Sequence, residues 1–326
     1  MEEFFSAVKR QVQKLPLALF FPIYYAWFSV ENDVWAARLR RQLDIPPLSD
    51  LDLLRVKGSE TVFILGSGQS INKITPQRWE VIKANDTIAL NNWLVHPFVP
   101  KFYCFDSAPR TSRSEPGLEA GYDFLLKNIW SRATDYRRTI KIVSNLRRGK
   151  GCQIVRELPS EWRENLYFGR TPPVVARTKS EFTAMVRYYK ARGTFAQLSR
   201  SRNLFKYNSI LVTCLSVAIR LGYRRIVLCG VDLSSNHYFY HDPHFFPETA
   251  EVSLAPREEQ HDTVVAKSWL VPIDEMLIVI RDEILQPSGI ELYVESTSSL
   301  LYPRIASPPE SMFETGTAGT IEPRRK

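Results

Sequence analysis

Hydrophobic positions along the chain fall into two kinds of segment. Short runs with little or no polar interruption occur at Val62–Leu65, Asp86–Leu90, Lys101–Phe105, Thr139–Val143, Arg225–Cys229 and Ile290–Val294. Runs of that length, rich in Val, Ile, Phe and Tyr, predict strands buried on both faces. Longer stretches between them predict helices at Pro76–Lys83, Gly117–Trp130 and Asn208–Leu221, with Gly222 at the position where helices favour a left-handed terminus. A last helix is expected to begin near His261, run through Met276 and Ile284, and stop at Gly289. Strands alternating with helices predict an α/β fold, with a mostly parallel sheet and helices on both faces.

Three stretches break the pattern. Residues 1–57 form an aromatic and basic N-terminal segment. Within it Leu15–Val30 is nearly uncharged but short for a bilayer span and interrupted by Pro16 and Pro22. Glu31-Asn32-Asp33 follows where a secretory signal would place a small-residue cleavage site. Two readings stay open: a segment lying in a membrane interface with its aromatics at headgroup depth, or a helix docked on the main domain. Trp35–Leu43 reads as a basic amphipathic helix ended by Ile45-Pro46-Pro47. Residues 147–205 lack clear periodicity and are rich in Arg, Tyr, Phe and Pro, which suits a lid inserted into a main domain of residues 58–302. From Pro303 the tail is rich in Pro, Gly and Thr and is expected to be disordered.

The predicted strands share a habit: each ends in polar residues. The first runs into Gly66-Ser67-Gly68-Gln69-Ser70, the second into Asn91-Asn92-Trp93, the third into Asp106-Ser107, and the one after Gly222 into Gly230-Val231-Asp232. In a parallel α/β sheet that edge is where ligands bind. Glycines at 66 and 68 let the backbone bend and approach a ligand, with the following amides facing an anion. The loop lacks a P-loop lysine, and Ile71 stands where a dinucleotide fingerprint has its third glycine. A plain strand-to-helix turn fits it as well. Asp232 is either a ligand-edge residue or a loop cap.

Composition narrows the partners. Forty-four per cent of the residues are hydrophobic and 24% charged, ordinary for a globular protein, while a net charge of +8 favours anionic partners. No nucleic-acid-binding motif accompanies the basic clusters. Cys104, Cys152, Cys214 and Cys229 are widely separated with no metal-type spacing. Three of them lie in apolar runs, pointing to reduced core thiols and a cytoplasmic compartment. His237, His241 and His244 beside Asp242 could ligate a metal but match no firm metal signature, so no metal site is assigned and they are expected to line the ligand site instead.

Taken in order, VFILGSGQS, the strand ending in Asn91-Asn92-Trp93, FDS, NS-x12-GY-x6-GVD, and LAP ahead of a His resemble the bacterial sialyltransferases that decorate lipo-oligosaccharide. They are also similar to the wider pterin-pyrophosphokinase-like group, which includes the motility-associated nonulosonate transferases. The resemblance spans roughly residues 60–300 and leaves out the N-terminal 55 or so. It implies one Rossmann-like domain binding a CMP-activated acidic sugar without metal or other cofactor, under a partly mobile lid. It places Ser67 with Gly68, Ser70 and Asn91 on the nucleotide and phosphate, and Asn208-Ser209 at the start of the long helix. Gly66, Asn92, Ser107 and Asp232 flank these positions in the blocks.

The sequence departs from the family at three points. Asp106 stands for an Asn, where a carboxylate can accept from ribose or sugar hydroxyls but repels phosphate. Of two tyrosines that hydrogen-bond the departing phosphate, one falls on Tyr240 and the other on Ser234. Lys206-Tyr207 replaces an Arg. These changes lie where the donor's charged groups would be held, so sialic acid, Kdo and pseudaminic or legionaminic acid are all allowed donors.

The base implied by the resemblance is His261, with His241 as runner-up; a surface histidine at a helix start is the competing reading of His261. The implied activity is transfer of a 2-keto acid sugar to a cell-surface glycan or glycolipid. The implied site is the cytoplasm or the inner face of the membrane, and a homo-oligomer is compatible. The alternatives are a Mg²⁺-dependent pyrophosphokinase-like enzyme using Asp106 and Asp232, and a non-catalytic membrane-surface module.

Overall fold

The computed structural model describes residues 17–48, 53–106, 116–144, 153–196, 203–249, 263–265 and 270–314. Its centre is a seven-stranded, all-parallel sheet in the order β5-β4-β3-β2-β1-β6-β7. The strands are β1 (Thr61–Leu65), β2 (Asp86–Leu90), β3 (Phe102–Asp106), β4 (Ile140–Ser144), β5 (Leu166–Gly169), β6 (Arg225–Cys229) and β7 (Glu291–Val294). Strand order therefore runs outward from β1 in one direction as far as β5, then reverses to β6 and β7 on the other side. A reversal of this kind opens a crevice at the carboxyl ends of the two strands that flank it. Here those strands are β1 and β6, paired from Thr61 opposite Arg225 to Leu65 opposite Cys229.

Alternation along the strands divides the core. Val62 and Ile64 belong to one apolar layer, Phe63 and Leu65 to the other. The first layer is closed by α4 (Lys179–Ala191), α5 (Ile210–Arg220) and α6 (Ile273–Ile280), the second by α2 (Pro76–Ala84) and α3 (Pro116–Arg132). Every residue of α5 is buried, which explains its mostly apolar sequence. Ser209 caps it by accepting from Leu211 N at 3.2 Å. After α6 a π-helical turn over Arg281–Leu285 and a 3₁₀ turn lead to Gly289, which is left-handed at φ 67°.

Two expectations meet a different structure. Part of the segment expected as a lid carries β5, which pairs with β4, and α4, which packs on the sheet. A four-residue strand between the left-handed Asn165 and Arg170 gives too little periodicity to read. The tail does not begin at Pro303. Val294 N donates to Ala306 O at 3.0 Å, and Phe313 is buried beside Phe63, with Arg78 over its ring at 4.5 Å.

At the other end, Leu17–Gln42 is a single 26-residue helix, α1, with Pro22 accommodated in its second turn. It docks along the β5 side of the sheet. Phe21 meets Tyr188 edge-on at 4.9 Å, Ala36 and Leu39 join the second apolar layer, and Asp33 grips the Arg170 guanidinium with both carboxylate oxygens. The chain then passes beside β5, where Phe168 N donates to Pro46 O at 2.8 Å. None of the described helices is long and apolar enough to cross a membrane.

Beyond the end of β2, His96 stacks on Trp93 at 4.4 Å and on Trp79 at 5.1 Å, and its Nδ1 accepts from Phe98 N. Burial, helped by the Arg132 charge, pushes the imidazole down from 6.5 to about 4. The unfolded chain therefore binds a proton that folded His96 refuses, and stability falls as pH drops from 6.5 to about 4. His96→Asn keeps an acceptor for Phe98 N and should remove this share of the acid sensitivity, up to about 3 kcal/mol. Urea melts across that pH range check it.

Candidate functional site

The crevice at the strand reversal is a cleft of about 290 Å³. It gathers Gly66, Ser67 and Gly68 after β1, Asn91 after β2, Asp106 at the end of β3, Asn208 and Ser209 ahead of α5, and Asp232 after β6. Eight positions singled out in the sequence thus meet in one place.

The glycine loop is built from the protein's own contacts. Gly66 N donates to Cys229 O at 2.8 Å and Gly68 N to Gly230 O at 2.7 Å, so the β1 and β6 loops touch through backbone. A Cβ on Gly66 would fall 2.5 Å from Gly230 O, and one on Gly68 would fall 2.5 Å from Asp232 Oδ2. Gly230 itself is left-handed at φ 64° and faces Ile71. The glycines are therefore required by loop–loop contact before any ligand is considered.

Beyond the loop, the 3₁₀ turn Gln69–Lys73 points its N-terminus at an anion, and that anion is Asp232. Its Oδ2 accepts from Ser70 N at 2.9 Å and its Oδ1 from the Ser70 hydroxyl at 2.5 Å. Of its two readings from sequence, Asp232 fills that of loop cap while also lining the cleft. Ser70 is buried and lies off the cleft.

Ser67 is different. Its hydroxyl is buried and has no hydrogen-bond partner among the described residues, although its residue lines the cleft. A buried polar group left unpaired is costly, and a ligand in the cleft would supply the partner.

Backbone strain collects here too. Among the described residues five non-glycines have positive φ, and three of them line the cleft: Asn91 at 52°, Asn208 at 51° and Leu233 at 60°. Asn tolerates this region, whereas Leu rarely does. Such residues cluster at ligand sites because the surrounding structure must hold them there. The Asn91 carbonyl is held by the Tyr103 hydroxyl at 2.5 Å.

The departure at Asp106 is compensated. Its Oδ1 accepts from the Ser144 hydroxyl at 2.6 Å and forms an ion pair with the largely buried Lys206. Lys206 thus neutralises Asp106 at the edge of the cleft.

The remaining candidates sit around the cleft. Tyr240 is buried, its hydroxyl accepts from Asn92 Nδ2 at 3.1 Å, and burial raises its pKa well above 10. Tyr240 stacks at 5.3 Å on Tyr238, which does line the cleft. His241 turns back to accept from Tyr238 N, and its Nε2 is buried without a partner. Burial first, then the neighbouring His237, lowers its pKa. Ser234 is exposed, while Leu233 and Ser235 on either side of it line the cleft. Ser107, His261 and the LAP block lie outside the described residues.

Among the described residues, the histidine at the cleft is His237, together with Tyr238 and Thr263. Sequence reasoning weighed His237 as a metal ligand or site-lining residue and passed over the other two. The signal available for His237 and Tyr238 is the dense run of aromatic and histidine side chains His237-Tyr238-Phe239-Tyr240-His241 just after a strand end. Among the described residues no three His, Cys, Asp or Glu side chains are grouped to hold a metal ion. Comparisons with protein-family models and with curated proteins return no match to this chain.

Two substitutions separate the roles. Asp232→Ala strips both partners from Ser70 and should cost about 1–3 kcal/mol in the free protein. Ser67→Ala removes a hydroxyl with no protein partner and should leave stability unchanged or slightly raised. Denaturant unfolding of both variants without ligand checks the contrast.

Proposed function

We propose that the chain is a metal-independent glycosyltransferase on a Rossmann-like domain, moving a 2-keto acid sugar from a CMP-activated donor to a cell-surface glycan or glycolipid. The observation that carries this reading is the convergence of the motif-block residues on one cleft at the strand reversal, where the Ser67 hydroxyl waits for a partner. The choice of cytidine nucleotide and keto sugar rests on the resemblance of the blocks.

In this reading the bond from the sugar's anomeric carbon to the phosphate breaks, and CMP departs with the electron pair. The acceptor oxygen bonds to that carbon and its proton passes to an imidazole. Ser67 donates to the nucleotide or its phosphate. Asn91 and Asn208 add polar groups held at fixed backbone angles. Tyr240 lies behind Tyr238 and is buried, so its part is to position that ring. Two histidines compete as base: His261, which the resemblance implies, and His237, which lines the cleft.

The carboxylates needed by a Mg²⁺-dependent pyrophosphokinase are already engaged, Asp232 with Ser70 and Asp106 with Lys206 and Ser144.

Thermal-shift titrations with CMP, CDP, UDP and ATP test the nucleotide. CMP at about 100 times its dissociation constant should stabilise the protein by about 2.7 kcal/mol, and Ser67→Ala should weaken that effect. Stabilisation by ATP with Mg²⁺ and not by CMP overturns the assignment. With CMP-sugars, alanine at the true base should slow turnover about 10²–10⁴-fold, and alanine at the other histidine by much less.

A further inference from the structure

Helix α1 docks with one face and leaves the other uncovered. Phe21, Phe28, Ala36 and Leu39 are buried. On the opposite side Trp27, Val30 and Val34 are 42, 69 and 68% exposed, and steps of three and four residues place them in one line. Two further such steps reach Arg38 and Arg41, both exposed. The line is thus apolar toward the N-terminus and cationic toward the C-terminus, and the helical period places one acid, Glu31, in the same sector against the two arginines. The nearby Asp33 is committed to Arg170, so it does not offset the arginines.

We propose that this face is a docking surface for anionic lipid headgroups, with α1 lying in the plane of the membrane interface. Charge complementarity selects the occupant. A second copy packed antiparallel on the same line would set Arg38 and Arg41 against the apolar half of its partner. Packed parallel, it would set arginine beside arginine. Each copy brings one carboxylate in this sector, Glu31, against two guanidinium groups, so either pairing leaves net positive charge facing net positive charge. An anionic bilayer takes the Trp27 ring at headgroup level, the valines just beneath it and the arginines among its phosphates. The overall charge of +8 acts in the same sense. The inference is independent of the transferase reading.

Co-sedimentation of the full chain with phosphatidylglycerol/phosphatidylcholine vesicles, and with phosphatidylcholine alone, tests it. The wild type should pellet with the anionic vesicles and stay in solution with the neutral ones, with binding weakened by salt. Trp27→Gln/Val30→Gln/Val34→Gln and, separately, Arg38→Glu/Arg41→Glu should each lower the partition coefficient at least about tenfold. Both should keep the wild-type circular dichroism and melting temperature, because all five side chains are exposed. Should the triple variant misfold, the charge-reversed pair decides alone. The proposal is overturned if the wild type ignores anionic vesicles or if the folded variants bind as tightly as it does. Light scattering that shows a dimer dissociated by the triple variant also overturns it, assigning the face to a second copy.

Discussion

The contact between Asp232 and Ser70 is the constraint on which the cleft depends. It ties the loop after β6 to the turn after β1 across the point where strand order reverses, and it spends the N-terminus of that turn on an internal carboxylate. The loops can approach so closely only because residues 66, 68 and 230 have no side chain. Further hydrogen bonds reinforce the lock: the Ser299 hydroxyl donates to Val231 O at 2.6 Å, and Leu300 N donates to Asp232 O at 2.8 Å. The loop thereby stands as a rigid wall, with Ser67 as its unpaired polar group on the cleft side. Rigid walls with few, fixed polar groups are what ligand sites require.

That wall changes the meaning of the glycine motif. A Gly-Ser-Gly turn after a buried strand reads equally as a phosphate cradle or as a tight loop, because both need a backbone without Cβ atoms. Sequence distance hides the partner that decides between them: Asp232 lies 162 residues from Ser70. The same holds for Asp106 and Lys206. Each looks like an isolated departure from the family pattern, one adding a negative charge and the other altering a positive one. Their ion pair joins them into one neutral unit, which keeps an uncompensated charge out of the cleft.

What was legible followed from strong local signals. Six of the seven strands carry runs of apolar residues long enough to read, and the polar residues at their ends were correctly grouped on one sheet edge because a parallel sheet allows no other placement. β5 was missed because Leu166–Gly169 is short and sits at the margin of the sheet. The tail was misread because its prolines and glycines describe residues 303–326 on average, whereas Ile305 and Phe313 supply two apolar anchors that composition dilutes. In the N-terminal segment, docking and exposure turned out to be properties of opposite faces of one helix, so neither reading of residues 15–30 needed to exclude the other.

The path of the chain after α1 bears on how the sheet ends. β5 is the last strand on its side, and an outermost strand presents free backbone groups that invite pairing with another molecule. Here Pro46 accepts the Phe168 amide, and a pair of prolines with no N–H to offer occupies the position a further strand would take. The segment before β1 is thus a stopper for sheet growth as well as an appendage. Proteolytic loss of it would uncover a parallel ladder ready to recruit a foreign strand, turning a discrete molecule into one prone to edge-to-edge association.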